Sequence, residues 1–364
     1  MNTRDFCKAL LKVELHAHLT GSISRQTLHD IWQRKKDTGI LHEDLTNLDP
    51  LRAIPPAAKG INVKTFFPIF DNVIYKLITT ADDIVLTTKS VLDSFLEDGV
   101  VYLELRTMPR ANEAAGLSKE DYLSLVLKTI AEHNASQSRL VTRLILTIDR
   151  RCTAAEADAV AELAITHKGN GVVGIDIAGN PLVGDVRTFT YAMTRARTAG
   201  LGITVHFGET PQTGSDEELY ALLEMQPRRL GHVIHLSDAV RAEVCKRRLG
   251  LELCLSCNVL TEMTQGGFKG HHFGSWREAG CPIALSTDDV GIFESELGHE
   301  YEMAIEHFEV SRKQAIELSR QAASVIFGTE EDKRRIQELL DDFEVKDVVD
   351  EWEIKKLYVS LHSF

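Results

Sequence analysis

No run of about 18 apolar residues occurs anywhere in the sequence, so no segment is expected to cross a membrane as a helix. The opening stretch, Met1-Asn2-Thr3-Arg4-Asp5-Phe6-Cys7, lacks the apolar core of a signal peptide, and the cytosol is the expected compartment. Cysteine is sparse: six among 364 residues, scattered at Cys7, Cys152, Cys245, Cys254, Cys257 and Cys281. Such a pattern suits reduced thiols and excludes a disulfide-stapled scaffold. Cys254-x-x-Cys257 has no second pair, which argues against a structural zinc site there. The His-x-Glu…Pro-Cys-x-x-Cys order of cytidine-type deaminases is also missing. His307-Phe308-Glu309 follows the cysteine pair, and Leu253 stands where the proline belongs. Gly169-Asn170-Gly171-Val172-Val173-Gly174 has dinucleotide-loop spacing, but it precedes a strand-like run, and a turn after a helix is expected instead.

Positive charge is in deficit as well. Lys+Arg number 41 against 54 Asp+Glu, a formal charge of −13. A surface this acidic argues against a nucleic-acid polymer or a membrane as partner. A small anion stays allowed, because one local arginine can hold it. Linkers rich in Gly, Ser or Pro are absent, so residues 1–364 are read as one domain.

What is present is an alternation. Eight short apolar, β-branched runs are Val13–His18, Val100–Arg106, Val141–Asp149, Val172–Ala178, Ile203–Phe207, Leu230–Ile234, Leu251–Leu255 and Ile283–Thr287. Amphipathic stretches such as Lys119–His133, Ala154–His167, Val186–Ala199 and Glu217–Met225 lie between them. This predicts parallel strands closed into an α/β (β/α)8 TIM barrel, with extra helices over 294–327 and at the C-terminus. The long Asp30–Val63 segment, with Pro50, Pro55 and Pro56, is expected to sit at one end and help cover a site.

Polar groups gather where strands end. In Val13-Glu14-Leu15-His16-Ala17-His18 the histidines share one strand face. His206 ends the fifth run, His232 lies in the sixth, and Asp288-Asp289 follow the eighth. Active sites of such barrels collect at the C-terminal strand ends. Three histidines and an aspartate meeting there are a plausible set for zinc or a similar divalent ion. Taken singly, each is as readily a hydrogen-bonded core histidine or a turn aspartate.

The residues also carry a resemblance. Glu14-Leu15-His16-Ala17-His18-Leu19-x-Gly21-Ser22, Gly174-x-Asp176-x-Ala178-Gly179, His206-x-Gly208-Glu209, Arg229-x-Gly231-His232 and Ser286-x-Asp288-Asp289 form an ordered series. It resembles the motif series of the adenosine deaminase family, over residues 12–289. Tyr102-Leu103-Glu104-Leu105-Arg106-Thr107-x-Pro109-Arg110, Asp149-Arg150-Arg151, Leu251–Asn258 and His271-His272-Phe273-Gly274 bring it nearest to the adenosine-deaminase-like branch, the N6-methyl-AMP deaminases.

The resemblance implies a metal-dependent hydrolase barrel with one zinc ion per chain, held by His16, His18, His206 and Asp288. It implies Glu209 as proton donor, and His232 and Asp289 acting on the attacking water. It implies substrate contacts from His18, Thr20, Tyr75, Thr107, Met108, Pro109, Arg110, Asp149, Asp289 and the Gly179 backbone. Arg110 is the expected phosphate ligand, since a guanidinium pairs bidentately with it. Thr20 stands where this branch has Asn, and Tyr75 where a His is usual.

The expected reaction is hydrolysis of N6-methyl-AMP, a small purine nucleotide, to IMP and an amine, by a monomer. A divalent ion lowers the pKa of a water from about 15.7 towards about 7. His232 is expected to take that water's proton and Asp289 to orient it. Glu209, protonated, is expected to donate to ring N1, which requires its pKa and that of Asp289 to be pushed apart. The alternatives are a deaminase of unphosphorylated adenosine or adenine, and a catalytically silent purine-binding barrel.

Overall fold

The eight runs form eight parallel strands, paired in chain order: β1 (Lys12–His18), β2 (Val100–Thr107), β3 (Val141–Asp149), β4 (Val172–Ala178), β5 (Gly202–Phe207), β6 (Arg229–His232), β7 (Gly250–Leu253) and β8 (Ile283–Leu285). The structure, a computed structural model, describes residues 1–136 and 138–361. The ring is drawn together just past β8, where Ala17 bridges Asp288. There the Asp288 N–H donates to the His16 carbonyl and the His18 N–H to the Asp288 carbonyl, both at 2.8 Å. Closure therefore locks one end of β8 against the two histidines of β1.

Helices appear where amphipathic stretches were expected, at Lys119–Ala135, Ala154–Thr166 and Asp216–Glu224. Capping boxes start the first two, Ser118 with Asp121 and Thr153 with Glu156. The Val186–Ala199 stretch divides into a 3₁₀ turn, Val186–Phe189, and a helix, Thr190–Thr198. The glycine-rich segment is the expected turn, with Gly171 at φ +103° leading into β4. Three strands end early, β8 among them, stopping at Leu285 two residues short of Thr287. β6 stops at His232 because His232 and Val233 take φ values of +65° and +49°. β7 stops at Leu253 because Leu255 opens a helix, Leu255–Leu260.

TIM barrels usually fill their interior with branched apolar side chains. Here Leu103, Leu105, Ile175, Ile177, Leu251 and Leu253 are buried in the apolar core. The residues between them, Glu104, Arg106, Asp176 and Glu252, form ion pairs with one another and with Arg229. Phe327, just after the helix Arg312–Ser324, packs against β4 and β5. A Cβ added at Gly202 or Gly174 would fall 2.2 or 2.7 Å from its ring, so only glycine admits it. The Arg229 guanidinium lies 3.6 Å over the same ring. No helix among the described residues is long and apolar enough to cross a membrane.

Candidate active site

The inner face of β1 presents His16 and His18, β5 presents His206, and the turn after β8 presents Asp288 at φ +62°. His16 Nε2 and His18 Nε2 each lie 3.2 Å from His206 Nε2. Asp288 Oδ1 lies 3.5 Å from the first and 3.3 Å from the second. His16 Nδ1 is 2.8 Å from Glu252 Oε2, and His206 Nδ1 is 3.3 Å from Asp176. A carboxylate only accepts, so both Nδ1 atoms carry the proton, and each ring in its neutral, metal-binding form turns its Nε2 lone pair inward.

Lone pairs facing one another at 3.2 Å call for a cation between them. Zinc–nitrogen bonds of about 2.0–2.1 Å in a tetrahedron place donors about 3.3 Å apart, so the spacing fits. Charge points the same way. Glu104, Asp176 and Glu252 pair with two guanidiniums, Arg106 and Arg229, and with Asp288 among the histidines the group carries two negative charges in excess, which a divalent ion would balance.

Glu209 follows β5 through Gly208, which at φ +59° turns the chain tightly against the His235 carbonyl. Burial pushes the Glu209 carboxyl up to about 7, and Asp288 adds to the rise. Its Oε1 lies 3.8 Å from His232 Nε2. That nitrogen and Asp289 Oδ1 are buried without a hydrogen-bond partner. Orphaned buried polar atoms around one point are what a polar ligand satisfies. The separation of Glu209 from Asp289 expected from sequence does not arise from these groups alone. Burial, Asp288 and Glu209 push Asp289 well above the carboxylate range too. Three acids crowd one point, and Arg106 is the opposing cation nearest in effect.

Gly21 makes this crowding sterically feasible. A Cβ there would sit 1.5 Å from Asp289 Oδ1. Gly21→Ala is therefore expected to displace Asp289 and lower kcat at least about tenfold, a loss of 1.4 kcal/mol or more in transition-state stabilisation. Steady-state kinetics beside a circular dichroism spectrum would check this; full activity would show that the turn yields freely.

The cavity over this centre is lined by His18, Thr20, Tyr75, Thr107, Met108, Asp149, Gly179 and Asp289, all expected to meet substrate. His16 and His232 lie buried below it. Pro109 and Arg110 are not part of the lining. Arg110 is stacked 3.4 Å over the Tyr75 ring and faces a separate hollow with Asn112 and Tyr122. The half-exposed guanidinium on the cavity wall is Arg151. Its Nη2 donates to Asp149 Oδ2 at 2.7 Å, and its Nη1 approaches Asp71 Oδ2 at 3.4 Å.

Sequence reasoning also missed the cover. Phe66, Phe67, Phe70 and Asp71 line the cavity from just beyond the Asp30–Val63 segment. Phe66 packs on Phe70 and stacks on Phe293 with ring centroids at 5.2 and 5.7 Å. The signal was available: three phenylalanines within five residues of a chain only 7% aromatic.

A barrel whose strand ends gather three histidines, an aspartate and a raised glutamate is a metal-dependent hydrolase in architecture. Residues 11–343 match the family model described as adenosine deaminase. The human N6-methyl-AMP deaminase is 32% identical over 342 residues, covering 92% of this chain and 93% of that protein. The crystal structure of the Arabidopsis N6-mAMP deaminase superposes with a TM-score of 0.85 at 32% identity, covering 93% and 99%. Arabidopsis ADAL has been solved complexed with IMP, with a TM-score of 0.83, 31% identity, and coverage of 93% and 98%. The chain belongs to the adenosine deaminase family and is a hydrolytic deaminase.

Proposed function

We propose that this enzyme is a zinc-dependent deaminase of N6-methyl-AMP and related N6-substituted purine nucleoside monophosphates, giving IMP and an amine. One observation carries the reading. A single cavity holds the donor centre with Glu209 and, on its wall, a half-exposed guanidinium able to meet a phosphate. The names and nucleotide complexes of the relatives support it.

In this reading His16, His18, His206 and Asp288 hold the ion. Zinc, when bound, makes hydroxide available near neutral pH. Glu209, kept protonated by burial, donates to ring N1. Asp289 orients the nucleophile towards C6, and Gly179 and Thr20 contact base and sugar. The apolar wall of Phe66, Phe67 and Phe70 excludes water. The enzyme is proposed to work as a one-domain monomer, with the cytosol as its compartment.

One observation favours the unphosphorylated substrate instead: Arg151 is already paired with Asp149 and Asp71. Turnover decides between them. Zinc-loaded enzyme is expected to release amine from N6-methyl-AMP with a higher kcat/KM than from N6-methyladenosine, and chelation is expected to abolish both. No amine from either, or preference for the nucleoside, would overturn the proposal. Arg151→Ala is expected to lower kcat/KM on the nucleotide about 10- to 100-fold, as for the loss of a charge-assisted hydrogen bond, and to leave the nucleoside nearly unaffected. An unchanged ratio would remove Arg151 from phosphate recognition.

A further inference from the structure

His232 sits wholly buried, its ring 4.9 Å from that of His16 and 5.1 Å from that of His206. Which of its nitrogens carries the proton decides what it offers the reacting atoms. With the proton on Nε2 it donates a hydrogen bond into the cavity; with the proton on Nδ1 it offers a base's lone pair.

A chain of contacts outside the donor centre settles the choice, and it starts from a group whose polarity is fixed. The backbone N–H of Phe273 can only donate, and it meets His271 Nδ1 at 3.1 Å. That nitrogen must therefore present its lone pair. His271 is buried and stays neutral, since burial and the neighbouring His272 lower its pKa to about 2. A neutral imidazole without a proton on Nδ1 carries it on Nε2. His271 Nε2 lies 3.2 Å from Asn258 Oδ1, which accepts. The other end of that amide is its NH2 group, and Nδ2 lies 3.1 Å from His232 Nδ1. His232 Nδ1 is thus an acceptor. Reversing the amide would put the His271 proton on Nδ1, facing the Phe273 N–H, donor against donor.

A second clamp holds the His232 backbone. His272 Nε2 lies 2.6 Å from the His232 carbonyl, and Trp276 Nε1 donates to the Val233 carbonyl at 3.2 Å. Together they brace two consecutive residues at positive φ, one of them β-branched, a conformation that is otherwise costly.

We propose that Asn258 and His271 are positioning residues that fix His232 as its Nε2–H tautomer, so that it faces the reacting oxygen as a hydrogen-bond donor and not as a base. The catalytic consequence rests on the deaminase reading; the tautomer does not. It also revises the expectation that His232 removes a proton from water: the nitrogen facing the cavity already holds one, and the Asp289 carboxylate, whose Oδ1 has no other partner, is the group left to accept the water's proton.

The test uses the zinc-loaded full chain labelled with 15N in histidine. Two-bond 1H–15N spectra are expected to show His232 with Nε2 protonated and Nδ1 bare, the assignment coming from the signals lost in His232→Gln. A proton on Nδ1 in the wild type would overturn the proposal whatever any variant does. Asn258→Asp replaces the donor by a carboxylate, so the His232 pattern is expected to invert and kcat to fall about 100-fold or more, with KM little changed. Inversion with kcat unchanged would overturn the positioning role. Should the wild type show the expected tautomer yet release no amine from N6-methyl-AMP, the proposed function fails and the tautomer assignment stands.

Discussion

Glu209→Gln is expected to lower kcat on N6-methyl-AMP roughly 10²- to 10⁴-fold, the usual worth of a positioned general acid. Glutamine keeps the shape of the side chain and can still donate a hydrogen bond to ring N1. It cannot surrender a proton to it. The two-residue turn through Gly208 carries Glu209 from the end of β5, where His206 belongs to the donor centre, to within 3.8 Å of His232 Nε2. Burial then does the chemical work, raising the carboxyl to about 7, with Asp288 adding repulsion. An exposed glutamate would be ionised at neutral pH and useless as an acid. Amine release in a single turnover, measured beside zinc content and KM, separates the acid's role from damage to the site. Turnover within a few-fold of wild type, with zinc retained, would remove Glu209 from the proton-donor role.

The barrel was legible because strand and helix periods alternate eight times, and the structure keeps all eight strands. The donor set was legible because His16 and His18 share a strand face, a property of local geometry. Three strand ends, those of β6, β7 and β8, were not. Leu230–Ile234 reads as an unbroken strand, but the chain bends at His232, where His272 and Trp276 hold the carbonyls of His232 and Val233. Arg110 and Arg151 are both loop arginines after strands, and no local pattern tells which one faces the cavity. The answer depends on Tyr75, which arrives from a distant segment and stacks under Arg110. Asp176 and Glu252 entered the sequence reading only as motif members without a role. Their signal was their position: each is a charge between two buried apolar neighbours within a strand. Such a charge is tolerated only when paired. Their partners lie far away in sequence, which hides the pairing until the barrel is closed.

Glu252 is where that hidden pairing has its largest consequence. Its carboxylate accepts from His16 Nδ1 at 2.8 Å, Arg106 Nη2 at 2.7 Å, Arg229 Nε at 2.6 Å and Thr204 Oγ1 at 2.8 Å. Burial alone would raise its pKa, yet Arg106 and Arg229 hold it well below the carboxylate range. One side chain thus orients His16 of the donor centre and pairs with two buried guanidiniums. Glu252→Gln keeps the volume but removes the charge, and it offers an NH2 group to neighbours that are all donors. Two effects are expected from it. Zinc affinity should fall about 10- to 100-fold, as when a carboxylate behind a ligating histidine is lost. Stability of the metal-free protein should fall by about 3–5 kcal/mol, because breaking a buried ion pair leaves the remaining charge uncompensated. The two are separable. Competition against a chelator reports the first, and denaturant unfolding of the metal-free protein reports the second. Asp176→Asn is the comparison: it touches His206 at 3.3 Å and shares Arg106 with Glu252, so it should weaken zinc while costing less stability. Lowered stability with zinc affinity unchanged would mean that β1 alone orients His16, and that the buried acids serve the barrel and not the metal.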